Sequence, residues 1–274
     1  MNSKKSSAKS QKRNWVEPWI ELDHIGNVGI DYIINPVLYK ELLDSFTSSK
    51  DPHILYDFGC GTGSLGRDLY IRDPSHVPGL KDLPYQDILK QRSILEKYIG
   101  YEEELEFVQS GNQVFKKYFV FPKMKIIRKN LKDTLSHNQI NLSKKKKKVC
   151  VSRNFLMHIN NKQMNQHLND VSSLLSTSET YIVAFLNPEY EQLKHNGTLK
   201  ENHWYSYQHG TQGEYGAFRQ YFRSITTYEN LFSKRFSIHK KIPCYPQDTT
   251  FKKSHQRYYI PHVPMAYVYI LKKK

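Results

Sequence analysis

Cysteine is scarce in this chain of 274 residues. Cys60, Cys150 and Cys244 stand far apart, too few and too scattered for a disulfide framework or a zinc site. A reducing, cytoplasmic setting with no bound metal is expected from that usage. Long apolar runs are missing as well. No stretch approaches the ~20 residues of a spanning helix, and the basic start of the chain lacks the apolar core of a secretory signal. An integral membrane protein is excluded, and no membrane partner is expected. Acidic residues are also short, 26 Asp and Glu against 41 Lys and Arg, for a formal net charge of +15.

That excess is unevenly spread. Residues 1–13 carry five positive charges and no acid, Lys144–Lys148 add five, and Lys272–Lys274 add three. Without these thirteen charges the chain carries +2. Residues 1–13, rich in Ser, Lys and Gln, read as a disordered tail. The run Lys144–Lys148 reads as a solvated loop ahead of an apolar strand. Such runs raise non-specific attraction to polyanions without defining a substrate, so nucleic acid is not the favoured partner.

One segment states a chemistry. Ile54-Leu55-Tyr56 is a short apolar run that ends in an acid, Asp57, and breaks into Gly59, Gly61 and Gly63. A helical segment, Ser64 to Ile71, follows at once. Glycines there permit positive φ and let a ligand approach the backbone, and the new helix turns free N–H groups toward whatever lies over the turn. Gly61, Gly63 and Gly66 also satisfy the dinucleotide fingerprint. Asp57 separates the readings: a carboxylate repels a pyrophosphate and attracts an ammonium group. The pattern from Leu55 to Gly63, Leu-Tyr-Asp-Phe-Gly-Cys-Gly-Thr-Gly, closely resembles the first motif of class I S-adenosylmethionine-dependent methyltransferases.

The order of the remaining segments is similar to that family over residues 50–274. Val149–Ser152 reads as the fourth strand. Met164, Leu168, Val171 and Leu175 then recur at helical spacing, and Tyr181–Leu186 reads as the fifth strand, stopped by Asn187-Pro188. Thr226 and Glu229 form a capping-box signal for a helix through Leu231 and Phe232. Phe236–Ile242 and Ala266–Leu271 complete the strands. The second strand is placed at Val77–Asp82 and the third at Lys125–Arg128. The resemblance implies an α/β fold: a Rossmann-like, seven-stranded, mainly parallel sheet with helices on both faces and the last strand antiparallel. Residues 14–50, with a helix from Pro36 to Phe46, form a lid or lead-in. The methyltransferase domain spans 51–274, with a substrate-side insertion at 187–223. The lysine run would then lie at the edge of the sheet opposite the cofactor.

The resemblance also implies roles. Asp57, Phe58, Gly59, Cys60, Gly61 and Gly63 would hold the methionine part of S-adenosylmethionine. Asp82 would hold the ribose, or alternatively cap a helix from Tyr85 to Ile99. Asn130 and Leu131 would lie at the adenine, and Ser152 would line the channel between donor and acceptor. His158, after the fourth strand, is the candidate catalytic base, with a structural role at a helix start as its alternative. His209, Tyr221 and Arg223 are candidate substrate contacts; Arg223 could instead form a surface ion pair near Glu229. The Asn187-Pro188-Glu189-Tyr190 and Pro243-Cys244 sequences follow the wrong strands to be the signatures of nucleobase methylation. The implied activity is methyl transfer to an oxygen or nitrogen of a small organic acceptor, with S-adenosylhomocysteine as product. An RNA methyltransferase using its basic segments, or a non-catalytic cofactor-binding protein, are the alternatives. Oligomeric state is not legible.

Overall fold

The computed structural model describes residues 31–47, 51–77, 79–130, 146–177, 179–208, 217–245, 260 and 262–274. The chain runs through α1 (Asp31–Thr47), β1 (His53–Phe58), α2 (Ser64–Tyr70), α3 (Tyr85–Ile94) and β2 (Leu95–Glu102). It continues through α4 (Leu105–Lys117), β3 (Met124–Arg128), β4 (Lys147–Arg153), α5 (Asn161–Leu174) and β5 (Thr180–Leu186). The remaining elements are α6 (Pro188–Lys194), β6 (Trp204–Gln208), β7 (Ala217–Tyr221), α7 (Ile225–Ser233), β8 (Phe236–Cys244) and β9 (Ala266–Lys273).

Seven strands form one sheet in the order β3-β2-β1-β4-β5-β9-β8, and β6 pairs with β7 in a separate hairpin. β9 is antiparallel to both its neighbours, whereas the other pairs of the large sheet are parallel. Every residue of β1 is buried, as a parallel strand covered on both faces requires. Alternate side chains serve the two faces. Leu55, Val149, Val151 and Ile182 pack with residues of α1, α2 and α4. Tyr56, Cys150, Tyr181 and Val183 pack with residues of α5 and α7. In α5 the expected stripe, Met164, Leu168 and Val171, is wholly buried, each side chain being worth roughly 1.5–3 kcal/mol. Asn160 starts that helix with a capping box closed by Gln163.

Three expectations need correcting. The second strand is Leu95–Glu102 rather than Val77–Asp82, and the helix expected from Tyr85 to Ile99 stops at Ile94. Asp82 is exposed in the turn before α3. Gly100 disguises β2 in the sequence, yet the packing demands it: a Cβ there would lie 2.5 Å from Cys60 Sγ. The cap of α7 is Ser224, whose side chain accepts from Thr227 N, not Thr226. Glu229 instead accepts from Lys241 Nζ and the Tyr269 hydroxyl.

Candidate cofactor and active site

β1 delivers Asp57 and the glycine turn to the carboxyl end of the sheet. Asp57 is 3% exposed, and its Oδ2 accepts from the Tyr98 hydroxyl at 2.7 Å. Gly59, Gly61 and Gly63 all take the left-handed conformation, at φ of 67°, 56° and 78°. The turn is strapped to the end of β2. Gly59 N donates to Tyr101 O at 2.9 Å, and Gly61 N donates to Glu102 Oε2 at 2.9 Å. The other Glu102 oxygen accepts the amides of Glu103 (2.8 Å) and Glu104 (3.1 Å). Burial raises the Glu102 carboxyl above the usual carboxylate range, against the pull of these three amides. Cys60 is buried in the notch that Gly100 leaves open, and the Phe58 ring stacks on Tyr101 at 5.2 Å.

A roof of polar contacts covers this turn. Arg153, at the end of β4, donates to Asn35 Oδ1 (3.1 Å) and Ser64 Oγ and pairs with Asp31 at 3.4 Å. Asn154 donates to Asp31 Oδ1 at 3.2 Å. The start of α1 is thereby tied across the carboxyl ends of β1 and β4. Phe155 lies directly over Gly59, where a Cβ would meet its ring at 2.3 Å. Gly59→Ala therefore combines a left-handed φ with a clash. We expect it to lower stability by about 1–3 kcal/mol; an unchanged denaturation midpoint would contradict this packing.

Ser152 sits at the end of β4, but its hydroxyl faces inward. It accepts from the Tyr181 hydroxyl at 2.9 Å and lies 3.2 Å from His167 Nε2, which is 2.8 Å from the same Tyr181 oxygen. All three residues are buried. Ser152 therefore ties the end of β4 to α5 and β5. Burial drives the pKa of His167 down to about 3. The unfolded chain binds that proton near pH 6.5, so stability from this group is complete above 6.5 and is lost as pH falls toward 3. Between pH 7 and 5 the loss should be about 2 kcal/mol. Urea titrations at both pH values check it, and His167→Asn should remove that share of the slope.

The insertion packs on the turn after β4. His158 has its Nδ1 3.1 Å from Arg219 O in β7, while the ring keeps an exposed edge. A carbonyl only accepts, so Nδ1 carries the proton and Nε2 is the accepting nitrogen. Loss of water around the inner edge lowers the His158 pKa. Tyr221 is half-buried against Trp204, with ring centroids 5.1 Å apart. Arg223 is neither a substrate contact nor a surface ion pair. It is 1% exposed and donates to Leu156 O (3.0 Å), Ile159 O and Asn161 Oδ1 (2.7 Å). Its guanidinium also lies 4.6 Å from the Tyr221 ring centroid and 5.3 Å from that of Tyr228. It clamps the segment that carries His158.

The carboxyl end thus gathers Asp57, Glu102, Arg153, Phe155 and the glycine turn. Asn130 is exposed just past β3. Leu131, His209, the lysines at 144 and 145 and the basic tail lie outside the described residues. Sequence reasoning missed Glu102, although Tyr98-Ile-Gly-Tyr-Glu102 repeats the run-then-acid pattern of β1. Arg153 carried no local signal, because its partners are more than 80 residues away.

No protein-family model and no curated protein matches the chain. Solved structures do. A putative S-adenosylmethionine-dependent methyltransferase from Listeria monocytogenes has a TM-score of 0.56 and 17% identity over 90% of this chain and 100% of its own. An S-adenosylmethionine-dependent methyltransferase from Methanosarcina mazei gives 0.53 and 13% over 82% and 93%. Geranyl diphosphate C-methyltransferase from Streptomyces coelicolor, solved with Mg2+, geranyl-S-thiolodiphosphate and S-adenosylhomocysteine, gives 0.50 and 12% over 86% and 75%. The chain has the class I methyltransferase fold. At these identities the likeness is one of fold. In a class I methyltransferase fold the carboxyl end of the central strands is the ligand end, and here it is the end that bears Asp57 and Glu102. A cleft of about 390 Å³ between His53, Lys148, Glu179, Lys240 and Lys272 lies at the amino end and is no part of this site.

Proposed function

We propose that the chain is an S-adenosylmethionine-dependent methyltransferase acting on an oxygen or nitrogen of a small organic acceptor. The observation that carries this reading is the pair of carboxylates, Asp57 and Glu102, that flank the left-handed glycine turn at the ends of neighbouring strands. That set of acceptors suits a ligand with an ammonium group at one end and hydroxyls beside it. Asp57 offers opposite charge to the ammonium, and Glu102 accepts from a hydroxyl. Two phosphates in the same place would be repelled.

When bound, S-adenosylmethionine supplies an electrophilic methyl group. The protein's part is largely to bring an acceptor into line with it, which by itself can provide much of the rate. His158, whose Nδ1 faces Arg219 O, would take a proton through its other ring nitrogen from an acceptor that carries one. The small-acceptor reading is supported by the insertion, whose β6–β7 hairpin and the loop before it, through Arg219 and Asn202, lie beside the segment bearing His158. The test is release of S-adenosylhomocysteine across a panel of hydroxyl- and amine-bearing compounds. Turnover with RNA alone, falling steeply with salt, would defeat the small-acceptor reading. Cofactor binding with no turnover on any class would leave a binding protein.

A further inference from the structure

α4 ends at Lys117, and the chain turns into β3 through a tightly bonded loop. The amides of Tyr118, Phe119 and Val120 donate to Val114 O (3.1 Å), Lys116 O (3.0 Å) and Phe115 O (3.1 Å), and Met124 N donates to Val120 O (3.0 Å). Val120 packs inward against the core. The aromatic rings around it point out: Phe119 is 95% exposed, Tyr118 53% and Phe121 42%. Phe119 is held at φ 56°, a conformation that is unfavourable for a bulky side chain. The bonds from Phe119 N and Val120 N close a Schellman motif that ends α4, so the left-handed φ belongs to the helix terminus. That cap asks for glycine or asparagine at the position, and it does not call for a phenyl ring standing bare in water.

The loop is also basic. Lys116, Lys117 and Lys123 are exposed around it, and the sequence contains no acid from Phe107 to Lys132. Strand register brings the other lysine-rich segments to the same end of the sheet. His53 pairs with Lys147, Thr180 with Lys272, and Tyr98 with Met124. Lys123, Lys146 and Lys147 therefore share the amino end with Lys272–Lys274, whose ammonium groups donate to Thr180 Oγ1, Leu175 O and Ser233 O, while Lys148 is buried with its Nζ on Leu174 O. Asp51 and Glu96 pair with Lys147 (4.0 Å) and Lys146 on the surface, where such pairs are weak. Glu179 is taken up by the amides of Lys148 and Ser176.

We propose that this amino end docks on an anionic lipid bilayer, with Phe119 and its aromatic neighbours entering the headgroup layer and the exposed Lys116, Lys117, Lys123 and Lys147 facing lipid phosphates. Amphipathic rings and lysines together suit that interface. Single-stranded RNA also combines aromatic and basic contacts but calls for a groove along its backbone, and a phenyl ring 95% exposed on a turn presents a tip. The contact is peripheral: among the described residues no helix is long and apolar enough to cross a membrane. It revises the sequence expectation of no membrane partner and does not depend on the proposed activity.

The test is co-sedimentation of the full chain with phosphatidylcholine vesicles, with and without phosphatidylserine. Wild type should partition onto the phosphatidylserine vesicles. Phe119→Ala should weaken that partition roughly tenfold, and Lys116→Glu with Lys117→Glu roughly thirtyfold or more, both with unchanged thermal midpoints. Absence of wild-type binding, equal binding of wild type and Phe119→Ala, or Phe119-dependent binding of single-stranded RNA in place of vesicles would each overturn the proposal.

Discussion

Asparagine at position 57 should weaken S-adenosylhomocysteine binding by about a hundredfold while leaving the fold in place. A charge-assisted hydrogen bond to a buried carboxylate is worth about 1.5–3 kcal/mol, and the attraction to an ammonium group is lost with it. Asp57→Asn is the informative change because the amide keeps an oxygen for the Tyr98 hydroxyl, which Asp57 now accepts at 2.7 Å. Packing of the strand end is therefore held while the charge is removed. Isothermal titration of both proteins decides the matter. Affinity within threefold of wild type would mean that no ammonium group is held there, and the methyltransferase reading would lose its main support.

The second large effect concerns stability. Arg223→Ala should destabilise the protein by about 3–5 kcal/mol, because it strips donors from buried carbonyls and empties space between two rings. Arg223→Lys should recover only part of this, since one ammonium cannot span Leu156 O, Ile159 O and Asn161 Oδ1 as a planar fork does. Urea denaturation gives the magnitude. If Arg223 instead met the acceptor, the variants would keep their stability and raise KM, and the clamp would be the wrong description.

Much of the fold was legible because the sheet is covered on both faces. Buried parallel strands such as β1, β4 and β5 show as plain apolar runs, and the glycine turn follows the first of them without interruption. β2 escaped because Glu96, Lys97 and Gly100 break its run. The glycine answers to Cys60, a residue 40 positions earlier, which no local window registers. The site was legible in the same proportion. Asp57 and the glycines sit in one contiguous motif, whereas Glu102 depended on placing β2. The inward turn of Ser152 depends on His167 and Tyr181, which come from two other elements. Arg223 looked like a ligand for an anion because its type and position in the insertion suit one. Only the packed structure shows its donors already engaged by backbone carbonyls.

The strap between Gly61 and Glu102 limits what the second carboxylate can still do. A carboxylate offers about four lone-pair positions, and the amides of Gly61, Glu103 and Glu104 occupy three of them. Among the described residues, one acceptor position remains. If the proposed reading holds, Glu102 would take a single hydroxyl of the ligand and have no capacity for a bidentate grip on a diol, so a neighbouring hydroxyl would find its partner on another residue or in water.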